Sequence, residues 1–168
     1  MLALKEEIPL HEYNLDFAKH MSMASLYILE HDSESEGAKR AALYNALVSC
    51  EISLKAALEI AGHPINKIRA KSHNLASLVA MVSSCTVVRN ITESGHPKRV
   101  PATCIRSREV VGDTTAGHLL EAEKYGASVF PQEIRYGEVV SHFDVKVISK
   151  LSAVVLNWVI EHSDDIQA

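Results

Sequence analysis

A chain of 168 residues with 47% hydrophobic residues is long enough to bury a real core and fits one domain, expected over 1–168. Its formal net charge of -4 and pI near 6.1 exclude a globally basic nucleic-acid coat while leaving room for a local basic patch. Cys50, Cys85 and Cys104 are odd in number and lack CxxC spacing, which argues against a disulfide framework or a zinc site.

In chain order, Leu10, Tyr13, Phe17, Met21, Ala24 and Ile28 form a stripe at helical spacing. They predict a first helix over 11–30 with that stripe toward the core. Acidic, serine-rich residues 31–37 read as a short loop between antiparallel neighbours, with Ser33 or Ser35 as the next N-cap. Residues 36–64 then hold the central element. Leu43, Leu47, Cys50, Leu54, Leu58 and Ala61 mark one face, and Ala42, Val48, Ile52, Ala56 and Ile60 much of the other, so it needs cover on several sides. Gly62 and Pro64 supply the stop. Residues 65–71 read as a basic connector and Ser72 as an N-cap. Leu75, Leu78, Val79 and Val82 predict a short third helix from 73 to about 84.

Residues 86–134 break the helical pattern. They read as a long insertion outside the helical core, carrying short strands or a helix of its own. A helix over 117–129, capped by Thr114 or Thr115, is expected there. Val140, Phe143, Val147, Leu151, Val154 and Trp158 predict the last helix over 142–162, opened by a Ser141 and Asp144 capping box and anchored by Trp158. The tail, 163–168, is expected to fray. Lys5, Glu6 and Glu7 interrupt the apolar core that a signal peptide needs, and no apolar run reaches membrane-spanning length. A cytoplasmic chain with no membrane partner is expected.

Several groups could carry chemistry. Glu51, Lys55 and Glu59, one turn apart, read as a solvated ladder of surface ion pairs worth about 0.3–0.5 kcal/mol each. His73 reads as a structural histidine at the start of the third helix. The nine histidines form no HExxH cluster, and neither a metal nor a cofactor is expected. Arg135 lies just before the last helix and His142 in its first turn. Such a pair suits a phosphodiester: arginine neutralises the phosphate, histidine moves a proton, and a helix N-terminus favours negative charge. The plain alternative is a surface ion pair for Arg135 and a helix-start contact for His142. Arg89, Lys98, Arg99, Arg106 and Arg108 stand against Glu93 and Glu109, a local basic excess that could bind phosphate or nucleic acid. The alternative there is a solvated loop.

CEISLKAALEIAGHP ending the central helix, KSHNLASLV after it, and IRYG before the last helix together resemble the HEPN family (higher eukaryotes and prokaryotes nucleotide-binding). The residues that carry the resemblance are Glu51, Leu54, Lys55 and Ala56; His73, Asn74 and Leu75; and Arg135 and Tyr136. It spans about residues 11–165. It implies an all-α fold, an up-and-down bundle of four to five helices with the long insertion before the last, usually paired into a symmetric homodimer. It also implies RNA or a nucleotide as ligand. Many members are metal-independent endoribonucleases or toxins whose arginine and histidine meet their copies across the dimer, the roles that fall here on Arg135 and His142. Active members usually place Asn, Asp or His after that arginine, where this chain has Tyr136. The alternative is therefore a non-catalytic interaction module, a partner of a nucleotidyltransferase-like protein or a binder of nucleotides.

Overall fold

The computed structural model describes residues 11–90, 95–122 and 144–168. Among them the chain is mostly helical, with six α-helices and two short two-stranded sheets. Helix α1 is Leu15–His31, capped by Asn14, whose side chain accepts from the backbone N–H of Phe17. It starts later than residue 11 because the Glu59 carboxylate takes the backbone N–H groups of Glu12 (2.8 Å) and Tyr13 (2.9 Å). Those bonds hold the entry strand outside the helix.

The buried face of α1 is not the predicted apolar stripe. Ala18, Ser22 and Ser25 face inward, while Phe17 is 52% exposed. Opposite them lie Ser49 of helix α2, Glu36–Ile60, and Ser149 and Ser152 of the last helix, α6, Val145–His162. Ser22 and Ser152 hydroxyls are 2.7 Å apart, Ser25 donates to the Ala42 carbonyl at 2.7 Å, and Ser49 donates to that of Ala18 at 2.7 Å. Small side chains let the three helices approach, and each of these hydroxyls is hydrogen-bonded, Ser152 donating to the Ser149 carbonyl of its own helix, so its burial carries little penalty. Hydrophobic periodicity is blind to such an interface.

Helix α2 has the cover its composition requires. Ser35 caps it as expected, and α1, α6 and helix α4, Leu75–Ser83, all pack on it. It is also long and apolar enough to cross a bilayer, but 72% of that stretch is buried within the protein. Gly62, at φ +98°, turns the chain out of the helix in the left-handed region that glycine alone enters without strain. The expected connector contains a short helix, α3, Ile65–Arg69. Ser72 is not the cap of α4: Asn74 is, accepting from the Ser77 N–H at 2.8 Å.

Strand β1, Thr86–Asn90, pairs antiparallel with β2, Pro97–Pro101. A 3-10 turn, Ala102–Ile105, leads to the small pair β3, Glu109–Val111, and β4, Thr114–Thr115, and then to α5, Ala116–Leu120, capped by Thr115. The expected short strands and the Thr115 cap are present. What differs is the relation of this segment to the core. Val87, Ala102, Ile105, Val110, Ala116, Leu119 and Leu120 join Leu47, Leu54, Leu78, Val155 and Trp158 in one continuous buried cluster. Residues read as an insertion outside the core therefore supply part of it. Gly117 marks the tightest approach, its N–H bonded to the Arg106 carbonyl where any Cβ would lie 2.9 Å from that residue.

Asp144 caps α6 through the Lys146 N–H at 2.7 Å; Ser141 lies outside the described residues. The tail does not fray. Thr86 and Gln167 exchange both backbone hydrogen bonds (2.8 and 2.9 Å), the Ala168 N–H reaches the Ala61 carbonyl at 2.9 Å, and Ile166 is buried.

Candidate functional site

Arg135, Tyr136 and His142 lie outside the described residues, as do residues 123–129 of the helix expected over 117–129. The five basic residues of the predicted patch are all described, and the fold does not treat them alike. Strand alternation places Val87 and Arg89 on one face of β1, opposite Val100 and Lys98 of β2. Val87 is buried, and one step further along the same face Arg89 and Lys98 emerge side by side into solvent. Neither has a hydrogen bond or an ion pair among the described residues. Like charges directly opposite one another on a hairpin are destabilising, which leaves both available to an anion.

The other three cations are committed within the chain. Arg99, on the opposite face of the hairpin, donates to the Thr86 hydroxyl at 3.1 Å and to the Asp165 carbonyl. Arg106 pairs with Glu121 at 2.8 Å and Arg108 with Glu161. Thus the predicted patch separates into two available charges and three structural ones. Arg108 still lines, with Arg89, a cleft of about 640 Å³ between the hairpin and the end of α6, where Thr103, Ser107, Cys104 and His162 complete the wall. A phosphate could be met there by guanidinium and hydroxyl donors. Thr103, Ser107 and His162 were not legible as site residues, because only the 3-10 turn and the end of α6 bring them together. His162 packs at a tilt against Trp158, with ring centroids 4.6 Å apart and planes at 46°, a spacing of one helical turn that the sequence does carry.

The Glu51 ladder requires a correction. Glu51 and Lys55 are each only 7% exposed, not solvated. Lys55 donates to one Glu51 oxygen at 2.7 Å and lies 5.5 Å from the centroid of the Tyr13 ring. The Nδ1–H tautomer of His73 donates to the other oxygen at 2.9 Å. His73 is therefore the clasp between α4's entry and α2, in keeping with a structural role. Tyr13 and the polypeptide leading into α1 shield the pair from water. Periodicity could not have found this, since the shielding comes from segments distant in sequence.

A second juxtaposition, Cys85 Sγ at 3.5 Å from His63 Nε2, resembles a nucleophile and base by distance alone. Its electrostatics oppose that role. Burial pushes the Cys85 thiol up, while burial and then the nearby Lys67 charge push the His63 imidazole down, so both neutral forms are favoured. Burial likewise pushes Cys50 up to about 12. Only Cys104 is partly exposed. At pH 8 a thiol reagent is expected to label Cys104 first, with Cys50 and Cys85 reacting only on unfolding; equal labelling of all three in the native protein would contradict the placement of these thiols. Among the described residues no group of three His, Cys, Asp or Glu side chains could hold a metal ion.

Set beside known proteins, the chain matches no family model, no curated protein and no solved structure.

Proposed function

We propose that the chain is a HEPN-like RNA-binding protein that holds single-stranded RNA by its phosphates at the hairpin cleft and cleaves it without a metal through Arg135 and His142. The observation that carries the binding half is the pair Arg89 and Lys98, adjacent on the hairpin, exposed and without a carboxylate among the described residues. The cleft beside them is lined by Arg108, whose guanidinium is already paired with Glu161, and by Ser107 and Thr103. In this reading Arg135 neutralises the scissile phosphate and His142 exchanges the proton of the 2′-hydroxyl. The helices form the up-and-down bundle of the family, the protein is a cytoplasmic homodimer, and the resemblance in Glu51, Lys55, His73 and Asn74 marks the scaffold.

The test is incubation of purified protein with single-stranded RNA in a metal chelator. Cleavage is expected, with loss of cleavage but retained binding in His142→Ala. Cleavage that persists in His142→Ala, or that requires a divalent ion, would contradict the catalytic half. A second reading, a non-catalytic module that docks a partner such as a nucleotidyltransferase-like protein, is favoured by a different observation: Phe17, Met23 and Tyr27 project from α1 into solvent. Binding of RNA with no cleavage at all would select it.

A further inference from the structure

Among the described residues five buried side-chain polar atoms have no hydrogen-bond partner, and two of them face each other at the end of α6. His162 Nδ1 and Asp165 Oδ1 lie 3.5 Å apart, an ion-pair distance once the ring is protonated. Native folds bond nearly all of their buried polar atoms, so a facing imidazole and carboxylate left unbonded call for a reason other than stability. Both groups are fixed from several sides. The Trp158 ring packs at a tilt on the imidazole. The turn after α6 brings Asp165 back beside it, with the N–H groups of Asp165 and Ile166 on the His162 carbonyl at 3.1 and 2.9 Å, and Arg99 donates to the Asp165 carbonyl. The exchange between Gln167 and Thr86 then ties that turn to β1.

The His162 side chain keeps 17% of its surface exposed, and it lines the same cleft as Arg89 and Arg108. With Nδ1 turned to Asp165, Nε2 is the ring nitrogen left for the cleft, and no hydrogen bond among the described residues engages it. A carboxylate behind one nitrogen of an imidazole fixes the tautomer and aims the other nitrogen at whatever occupies the site. The neighbours narrow the chemistry. Cys104 shares this wall, but its thiol makes no hydrogen bond with the ring, and the Ser107 hydroxyl is given to the Cys104 carbonyl at 3.1 Å. Neither is poised as the nucleophile of a triad. Arg108 is paired with Glu161, which leaves Arg89 as the free cation of the cleft, so the group that meets the ring there is an anion.

We propose that His162 is the general acid of RNA cleavage at this cleft, with Asp165 as its positioning residue. The inference rests on the functional reading above, which supplies a base for the proton of the 2′-hydroxyl and nothing to protonate the leaving oxygen. In the step, the 2′-oxygen loses its proton to that base and bonds to phosphorus as the P–O5′ bond breaks. The 5′-oxygen leaves with the electron pair of that bond and takes the Nε2 proton of the His162 imidazolium. The products are a 2′,3′-cyclic phosphate and a 5′-hydroxyl end. The base gains one proton as His162 loses one, and exchange with water resets both.

The test uses the purified full chain and two short single-stranded RNAs, one ordinary and one with sulfur in place of the 5′-bridging oxygen at a single linkage, because a thiolate leaves without a proton. On ordinary RNA His162→Gln is expected to cut the cleavage rate about 10²–10⁴-fold, the usual contribution of a general acid, and Asp165→Asn to cut it less. Both should bind ordinary RNA within about twofold of wild type, since the lost interaction is made only in the transition state. At the sulfur-bridged linkage both should cleave at close to the wild-type rate, whereas His142→Ala should stay slow on either RNA. The same signature in the nearly isosteric Asp165→Asn keeps the test independent of how well His162→Gln folds. Cleavage of ordinary RNA by His162→Gln at the wild-type rate, or a loss that sulfur does not restore, would overturn this proposal alone, the second outcome being that of a ring that only packs on Trp158. Wild type that binds RNA and cuts neither substrate would overturn the cleavage reading, and this role with it.

Discussion

Lys55→Met is expected to lower the unfolding free energy by about 3–5 kcal/mol, the usual effect of removing one member of a buried ion pair. Lys55 is the closest cation to Glu51, and both are buried. Without it the carboxylate keeps only the His73 hydrogen bond in a site sheltered by Tyr13. The double change Glu51→Met with Lys55→Met should cost much less than the single, since it removes the stranded charge together with its partner. Equilibrium denaturant unfolding of the three variants measures this. A loss below about 1 kcal/mol for Lys55→Met would return the pair to the surface class.

Ile166→Ala is expected to cost about 2–4 kcal/mol, within the range for truncating a buried isoleucine. A frayed tail would lose almost nothing. Ile166 is 5% exposed and belongs to the core cluster, and its neighbour Gln167 exchanges two backbone hydrogen bonds with Thr86 at the start of β1. Arg99 adds a tie from β2 to the Asp165 carbonyl. The end of the chain therefore clamps the hairpin that carries Arg89 and Lys98. Beyond the loss in melting temperature, the variant should show faster amide exchange in β1 than in the middle of α2. Unchanged exchange in β1 would mean that the clamp does not hold the strands.

The elements whose burial is continuous were legible in the sequence: α2 from its apolar residues on several faces, with its start at the Ser35 cap and its stop at Gly62, and α6 from Leu151, Val154 and Trp158, although its N-cap is Asp144 itself and the helix begins at Val145 instead of residue 142. The orientation of α1 was not, because its fully buried contact is made by Ala18, Ser22 and Ser25 while Phe17, Met23, Leu26 and Tyr27 are exposed. Hydropathy assigns a face roughly a quarter turn away. Glu51 and Lys55 looked solvated for a related reason: local spacing identifies an ion pair, but its burial is decided by Tyr13 and His73, which approach from other elements. Of the candidate site, composition located the basic segment. It could not separate Arg89 and Lys98 from Arg99, Arg106 and Arg108, since Asp165, Glu121 and Glu161 reach those three only through the fold.

The most direct measurement is the affinity of the chain for a fluorescent single-stranded RNA as a function of salt, for wild type and for Arg89→Glu with Lys98→Glu. Binding through phosphates at the hairpin predicts that affinity falls with salt. The double variant should bind at least about tenfold more weakly and show a shallower salt slope, having lost two phosphate contacts. Its melting temperature should not fall, because neither side chain has a partner among the described residues. Equal affinity and equal salt slope for the two proteins, or no binding by wild type at low salt, would contradict the proposed site.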